Sequence, residues 1–209
     1  MATILYIKAS PRGDRSHSVT VADAFVKAYS EANPGDVVRV LDVFEADLPA
    51  FGTDAVVARY LSGQGNPLSP AQEAAWAAVK RQVEDFKTAD KYVIALPMWN
   101  FSIPWRLKQF FDIIIQPGLT FSYDEQGYHG LVTGRPVLVS YARGGAYPAG
   151  TPAEGWDFQK RYLEHILGFI GFTDIRSIVV EPTLAGGPDT AQAKRAEAVE
   201  QARRMALEF

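Results

Sequence analysis

Pro97-Met98-Trp99-Asn100-Phe101-Ser102-Ile103-Pro104 brings together two large rings, a side-chain amide and several backbone amides. It follows the apolar run Tyr92 to Leu96 and precedes Trp105-Arg106-Leu107-Lys108-Gln109-Phe110-Phe111-Asp112. A loop of this kind at the end of a buried strand suits a flat heterocycle with a polar rim. Trp99 and Phe101 would flank the ring and Asn100 would bond its edge.

Two further stretches have matching chemistry. Ser10-Pro11-Arg12-Gly13-Asp14-Arg15-Ser16-His17-Ser18 offers hydroxyls, guanidinium groups and the free amides of a helix start, which together can surround a phosphate. Its single glycine, Gly13, matches neither G-x-G-x-x-G nor G-x-x-x-x-G-K-[ST], so it points to a phosphate monoester rather than a pyrophosphate. In Ala142-Arg143-Gly144-Gly145-Ala146-Tyr147 the adjacent glycines let backbone N–H groups approach a ligand edge closely. Taken singly, the three stretches also read as serine capping of a helix, core aromatics and a flexible turn.

The elements that must position them alternate. Strand-length apolar runs occur at Thr3 to Lys8, Val37 to Leu41, Tyr92 to Leu96, Pro136 to Tyr141 and Ile175 to Val180; their near-continuous Val/Ile/Leu character fits strands covered on both faces. Helical spacing appears near Val19 to Ala32, Pro70 to Phe86, Pro104 to Ile115, Asp157 to Ile170 and Pro188 to Leu207. Ser69-Pro70-Ala71-Gln72 predicts a capping box with proline at the first helical position. Phe158, Tyr162, Ile166 and Ile170, four apart, predict one buried helix face.

Val43 to Asn66 and Pro117 to Thr133 read as long connections, the second carrying Thr120-Phe121-Ser122-Tyr123, a turn at Asp124-Glu125-Gln126-Gly127 and Tyr128-His129-Gly130. The alternation predicts an α/β fold: a flavodoxin-like, doubly wound, five-stranded parallel sheet with helices on both faces, as one domain over 1–209. In such a sheet the first, third and fourth strands end on one edge, around the switch point where ligands bind. Phosphate loop, ring loop and glycine loop then fall in the order that an FMN site requires.

Composition narrows the class. The 209 residues are 47% hydrophobic, enough for a sizeable core without metal or disulfide. The formal net charge is -3 without a block of like charge, which gives no footprint for nucleic acid or an anionic membrane. With no cysteine there is no thiol nucleophile and no disulfide framework, so redox chemistry would need a cofactor. The start Met1-Ala2-Thr3-Ile4-Leu5-Tyr6-Ile7-Lys8 lacks the features of a signal peptide, and no run approaches a membrane span, so a cytoplasmic protein is expected.

These motifs, with Gly130-Leu131-Val132-Thr133-Gly134 and Gly168-Phe169-Ile170-Gly171-Phe172, resemble the FMN-dependent NADH-azoreductases of bacteria, within the flavodoxin-like NAD(P)H:quinone reductase superfamily. The resemblance extends over nearly the whole chain. It implies that Ser10, Ser16, His17 and Ser18 hold the ribityl phosphate, that Met98, Trp99, Asn100 and Phe101 line the isoalloxazine, and that Ala142, Arg143, Gly144 and Gly145 meet its pyrimidine edge. It implies a homodimer with flavin sites at the interface, Tyr123 and Phe169 shaping the substrate pocket, and ping-pong transfer of two electrons from NADH or NADPH to quinones or azo compounds. No side chain is assigned a catalytic proton, and no metal is expected. Three positions depart from the family: Ala142 stands where serine is usual, Trp99 where tyrosine is, and His17 where glutamine is.

Two other readings fit the same architecture. A flavodoxin-type one-electron carrier, acting with redox partners, would bind FMN too, yet such carriers tend to be strongly acidic for docking. A phosphohydrolase or receiver-like domain would need acidic residues after the first strand, where this chain has Lys8-Ala9-Ser10.

Overall fold

The structure, a computed structural model, describes all residues 1–209. In chain order the elements are β1 (Thr3–Lys8), α1 (His17–Ala32), β2 (Val37–Asp42), α2 (Thr53–Gly63), α3 (Pro70–Lys87), β3 (Lys91–Pro97), α4 (Trp105–Ile114), β4 (Phe121–Asp124), β5 (Gly127–Gly130), β6 (Val137–Ala142), α5 (Lys160–Ile170), β7 (Ile175–Val180) and α6 (Gly187–Ala206).

Five strands form a parallel sheet in the order β2-β1-β3-β6-β7. Alternate side chains enter two apolar layers. Ile4, Tyr6, Val93, Ala95, Leu138, Ile178 and Val180 pack against α1 and α6. Leu5, Ile7, Tyr92, Ile94, Leu96, Val137 and Val139 face α2, α3, α4 and α5. The central strands β1, β3 and β6 can be apolar throughout because helices cover both faces. β2 departs from that expectation: as an edge strand it leaves Val37 and Val40 exposed.

The strand order is that of a doubly wound sheet, as expected, with the direction of winding reversing between β1 and β3. The loops after β1, β3 and β6 therefore open on one edge. α3 begins with the expected capping box: Ser69 Oγ accepts from Gln72 N–H at 3.3 Å and Gln72 Oε1 accepts from Ser69 N–H at 2.9 Å.

Three local expectations need correction. Val43 to Asn66 is not simply a connection, because α2 lies within it, docking only the small side chains of Ala55 and Ala58 in the core. Pro117 to Thr133 holds an antiparallel hairpin, β4 with β5, in which Tyr123 pairs with Tyr128. α5 begins at Lys160 rather than Asp157, which places Phe158 outside the helix and exposed; the buried face is Leu163, Leu167 and Ile170.

Candidate functional site

At the end of β1 the chain makes a short 3-10 turn, Gly13–Arg15, in which Gly13 has φ +54°. Ser16 then caps α1: its N–H donates to Gly13 C=O at 2.9 Å and its Oγ accepts from Val19 N–H at 3.4 Å. Ser16 Oγ lies 3.2 Å from Ser18 Oγ. Ser18 C=O accepts from Ser140 Oγ at 2.9 Å, which ties the start of α1 to β6. Ser10, Ser16 and Ser18 are all buried.

Ser10 Oγ and His17 Nδ1 are buried without any hydrogen-bond partner. A buried polar atom left unpaired costs about 1–3 kcal/mol, so such atoms clustered beside a capped helix start are the pattern of a ligand seat. The first-turn amides of α1 have no helical acceptor and face the same end, where the helix dipole favours an anion. A phosphate monoester fits this donor set. His17 titrates below the ordinary histidine range: burial contributes most, then the positive charges of Arg195 and Arg12.

After β3, Met98 N–H donates to Ala142 C=O at 2.8 Å, which joins the ring loop to the end of β6. Trp99 and Ser102 exchange two backbone hydrogen bonds of 2.9 Å, closing a tight turn. The central residues of that turn, Asn100 and Phe101, have φ +48° and +67°. Positive φ is tolerable for asparagine but unusual for phenylalanine, and strained backbone of this sort collects at functional sites. The aromatics are not core residues: Trp99 leans on Phe44 at 5.6 Å, while Phe101 lies 6.3 Å from Tyr147 and 5.8 Å from Trp156. Both rings keep exposed surface, and the Asn100 side chain has no hydrogen bond within the chain, so its amide is free for a ligand.

The third loop is organised differently. Arg143 is buried, with Nη2 donating to Asp157 Oδ2 at 2.7 Å, Nε to Gln159 Oε1 at 3.0 Å and Nη1 to Glu181 Oε2 at 3.2 Å. Its guanidinium is thus committed within the protein, and its own N–H donates to Val180 C=O at 3.0 Å. The neighbouring carbonyls are committed as well: Arg143 C=O accepts from Thr183 N–H and Gly144 C=O from the amides of Leu184 and Ala185. The amides of Gly144 and Gly145 have no acceptor in the chain. Two free donors at consecutive glycines match the acceptor rim of a pyrimidine-like ring, and Ala142, without a hydroxyl, adds only backbone here.

Tyr123 and Phe169 belong to a different cluster, in which Tyr128 stands between them. On the hairpin the Tyr123 and Tyr128 ring centroids are 5.0 Å apart, and Phe169 lies 5.4 Å from Tyr128 and 4.8 Å from Phe121. The result is an aromatic ridge in which Tyr123 is 70% exposed. Its base is fixed by close packing: a Cβ on Gly130 would lie 2.3 Å from the backbone nitrogen of Gly171, so the hairpin can rest against the end of α5 only with glycine there. Tyr147, at the end of the glycine loop, borders the ring loop, as do Phe44, Trp156 and Arg195 around the site; no local motif marks these last three, because each arrives from an unrelated part of the chain.

Fold and loops define a class, a flavodoxin-like α/β protein whose loops after β1, β3 and β6 open on one sheet edge. The family described as having a flavodoxin-like fold matches residues 2–206. The chain is 99% identical, over 100% of both sequences, to a protein of Nitratidesulfovibrio vulgaris strain DP4 named FMN-dependent NADH:quinone oxidoreductase. It is 45% identical to a protein of the same name from Desulfotalea psychrophila, covering 93% of this chain and 91% of that one. Among solved structures, an azoreductase from Bacillus anthracis superposes with a TM-score of 0.91 at 31% identity, covering 100% of both chains. An FMN-dependent NADH-azoreductase of Bacillus anthracis in complex with FMN gives 0.87 at 29% identity, covering 99% and 100%. The chain belongs to this flavodoxin-like family of FMN-dependent NADH:quinone oxidoreductases and NADH-azoreductases.

Proposed function

We propose that this protein is an FMN-dependent oxidoreductase of the cytoplasm that takes two electrons from NADH or NADPH and delivers them to quinones and azo compounds by a ping-pong sequence. The observation that carries this reading is the distribution of unused hydrogen-bonding groups: Ser10 Oγ and His17 Nδ1 at one end, and the Gly144 and Gly145 amides at the other. The strained, partly exposed turn at Asn100 and Phe101 lies on the connection between them.

Ser10, Ser16, His17 and Ser18 bind the phosphate. Trp99, Phe101 and Met98 line the ring, Asn100 bonds its edge, and the main chain of Ala142, Arg143, Gly144 and Gly145 meets its pyrimidine rim. Bound there, FMN supplies a ring able to accept a hydride from reduced nicotinamide and to pass two electrons to an acceptor. The protein's part is to orient that ring, stack an incoming planar molecule and place positive or N–H dipoles where negative charge gathers. Residues 1–209 act as one FMN-binding domain. Two copies form a homodimer, in which the exposed ridge carrying Tyr123 and Phe169 supplies a wall of the substrate pocket.

Initial rates of NADH oxidation with a quinone and with an azo dye, measured with and without added FMN, test this reading. FMN-dependent turnover with both acceptors and parallel double-reciprocal lines is expected. A protein that binds no FMN and oxidises no pyridine nucleotide would overturn it; intersecting lines would remove the ping-pong order.

A further inference from the structure

The ring of His17 lines a cavity of about 330 Å³ that it shares with Thr183, Leu184, Gln192 and Arg195, between the start of α1 and the first turns of α6. Arg195 differs from the other cations of its helix. Lys194 is paired with Glu197 and Arg203 with Glu200, each within one turn, and Arg204 is exposed to solvent, whereas Arg195 is half-buried and still pairs with no carboxylate. His17 Nδ1, shielded from solvent, has no hydrogen-bond partner. The charged groups acting on His17 are Arg195 from α6 and Arg12 from its own loop, both positive. Asp14 and Arg15 on that loop, and Asp189 at the start of α6, do not line the cavity. Arg195 thus brings an unpaired positive charge, and His17 an imidazole with an unpartnered nitrogen, to the lining of one cavity, and the group that satisfies both is an anion.

Resting on the FMN reading above, we propose that His17 and Arg195 form a charge-reading pair for the ligand's phosphate, and that binding a phosphate monoester is coupled to proton uptake at His17. The serines and helix amides supply directional hydrogen bonds; the pair counts charge. Without ligand, burial and the two arginines keep the imidazole neutral near pH 7. A dianionic phosphate beside it favours the charged ring, which gains a second donor. Proton uptake then makes affinity fall as pH rises between the free and the bound imidazole pKa. The ligand's own second ionisation, near pH 6, works in the opposite sense below that window.

Flavin-free protein titrated with FMN and with riboflavin, by fluorescence quenching and by calorimetry in two buffers of different ionisation enthalpy at pH 7.5, tests the pair. Wild type is expected to take up a fraction of a proton per FMN, and His17→Gln none. Arg195→Gln is expected to weaken FMN about tenfold at low salt, the scale of one charge-assisted contact, while riboflavin binds as in wild type. Unchanged riboflavin binding in both variants shows that the ring site is intact. Equal proton uptake by wild type and His17→Gln, or equal losses for FMN and riboflavin in Arg195→Gln, would overturn the pair while leaving FMN binding in place. Wild type that binds no FMN would overturn the functional reading as well.

Discussion

The two ends of the candidate site use opposite parts of the chain. At Ser10 to Ser18 the chain turns and caps a helix, and beside the helix-start amides it is buried side-chain atoms, Ser10 Oγ and His17 Nδ1, that are left without partners. At Arg143 to Gly145 the side chain is committed to Asp157, Gln159 and Glu181, and backbone amides are left free. On the proposed reading, a charged phosphate would be met by groups that can change protonation or rotate, and a rigid ring rim by main chain held in place by a buried ion network. Substitutions at the first end should therefore cost ligand, and those at the second should cost fold.

The largest effect is expected for Arg143→Ala. It leaves Asp157 and Glu181 facing an empty space, and breaking a buried pair in this way costs about 3–5 kcal/mol. Urea unfolding of the flavin-free protein should show that loss. A variant of wild-type stability whose only defect is FMN affinity would make Arg143 a ligand group and erase the contrast.

Next is Ser10→Ala. Removing an unsatisfied buried hydroxyl should leave stability unchanged or raise it by up to about 1 kcal/mol, while FMN affinity falls at least about tenfold, the worth of a hydrogen bond to a charged group. Unfolding and flavin titration on one preparation give both numbers. A destabilised Ser10→Ala that binds FMN normally would show that the hydroxyl serves the fold.

Smaller still is the separation of backbone from side chain at Asn100. Asn100→Ala should cost about 1 kcal/mol of stability, because alanine tolerates φ +48° less well than asparagine, whereas Asn100→Gly should not carry that strain. Both lose the amide, so both should lose FMN affinity equally; unequal losses would mean that the turn's shape, not the amide, recognises the ring.

The weakest expected signal is the pH dependence of the flavin-free protein. Because the folded state holds the His17 pKa below its ordinary 6.5, the unfolded chain binds more protons between the two values. Stability should be fullest above pH 6.5 and decline as pH falls toward the folded pKa, and His17→Gln should remove that part of the slope in pH-dependent thermal melts. An identical slope in the variant would assign it to other groups.

The parallel sheet was legible because β1, β3 and β6 are buried on both faces and so read as unbroken apolar runs. α2 was not, because it docks through two alanines and has no side-chain cap, leaving almost no periodic signal. Of the hairpin only the turn was, because Tyr123 and Tyr128 stand in solvent and its two short strands show no buried face. In α5 the four-residue spacing that starts at Phe158 was misleading, since the helix begins two residues later and turns Leu163 and Leu167 inward.

For the site, Ser10, Asn100 and Gly144-Gly145 announced themselves by type and by position after strands. The fate of the Arg143 side chain did not. Its partners lie 14, 16 and 38 residues away in sequence, and nothing local to an Arg-Gly-Gly turn says that the arginine points inward. Arg195 was equally silent, one cation among several on an Ala-rich helix, distinguished only by being half-buried without a carboxylate partner.

Equilibrium titration of the flavin-free wild-type protein with FMN and, in parallel, with riboflavin tests the division between the two ends most directly. A side-chain end built for phosphate and a backbone end built for a ring predict saturation at one FMN per chain. Riboflavin should then bind at least about a hundredfold more weakly, equivalent to about 2.7 kcal/mol. Equal affinities for the two flavins, or binding of neither, would contradict it.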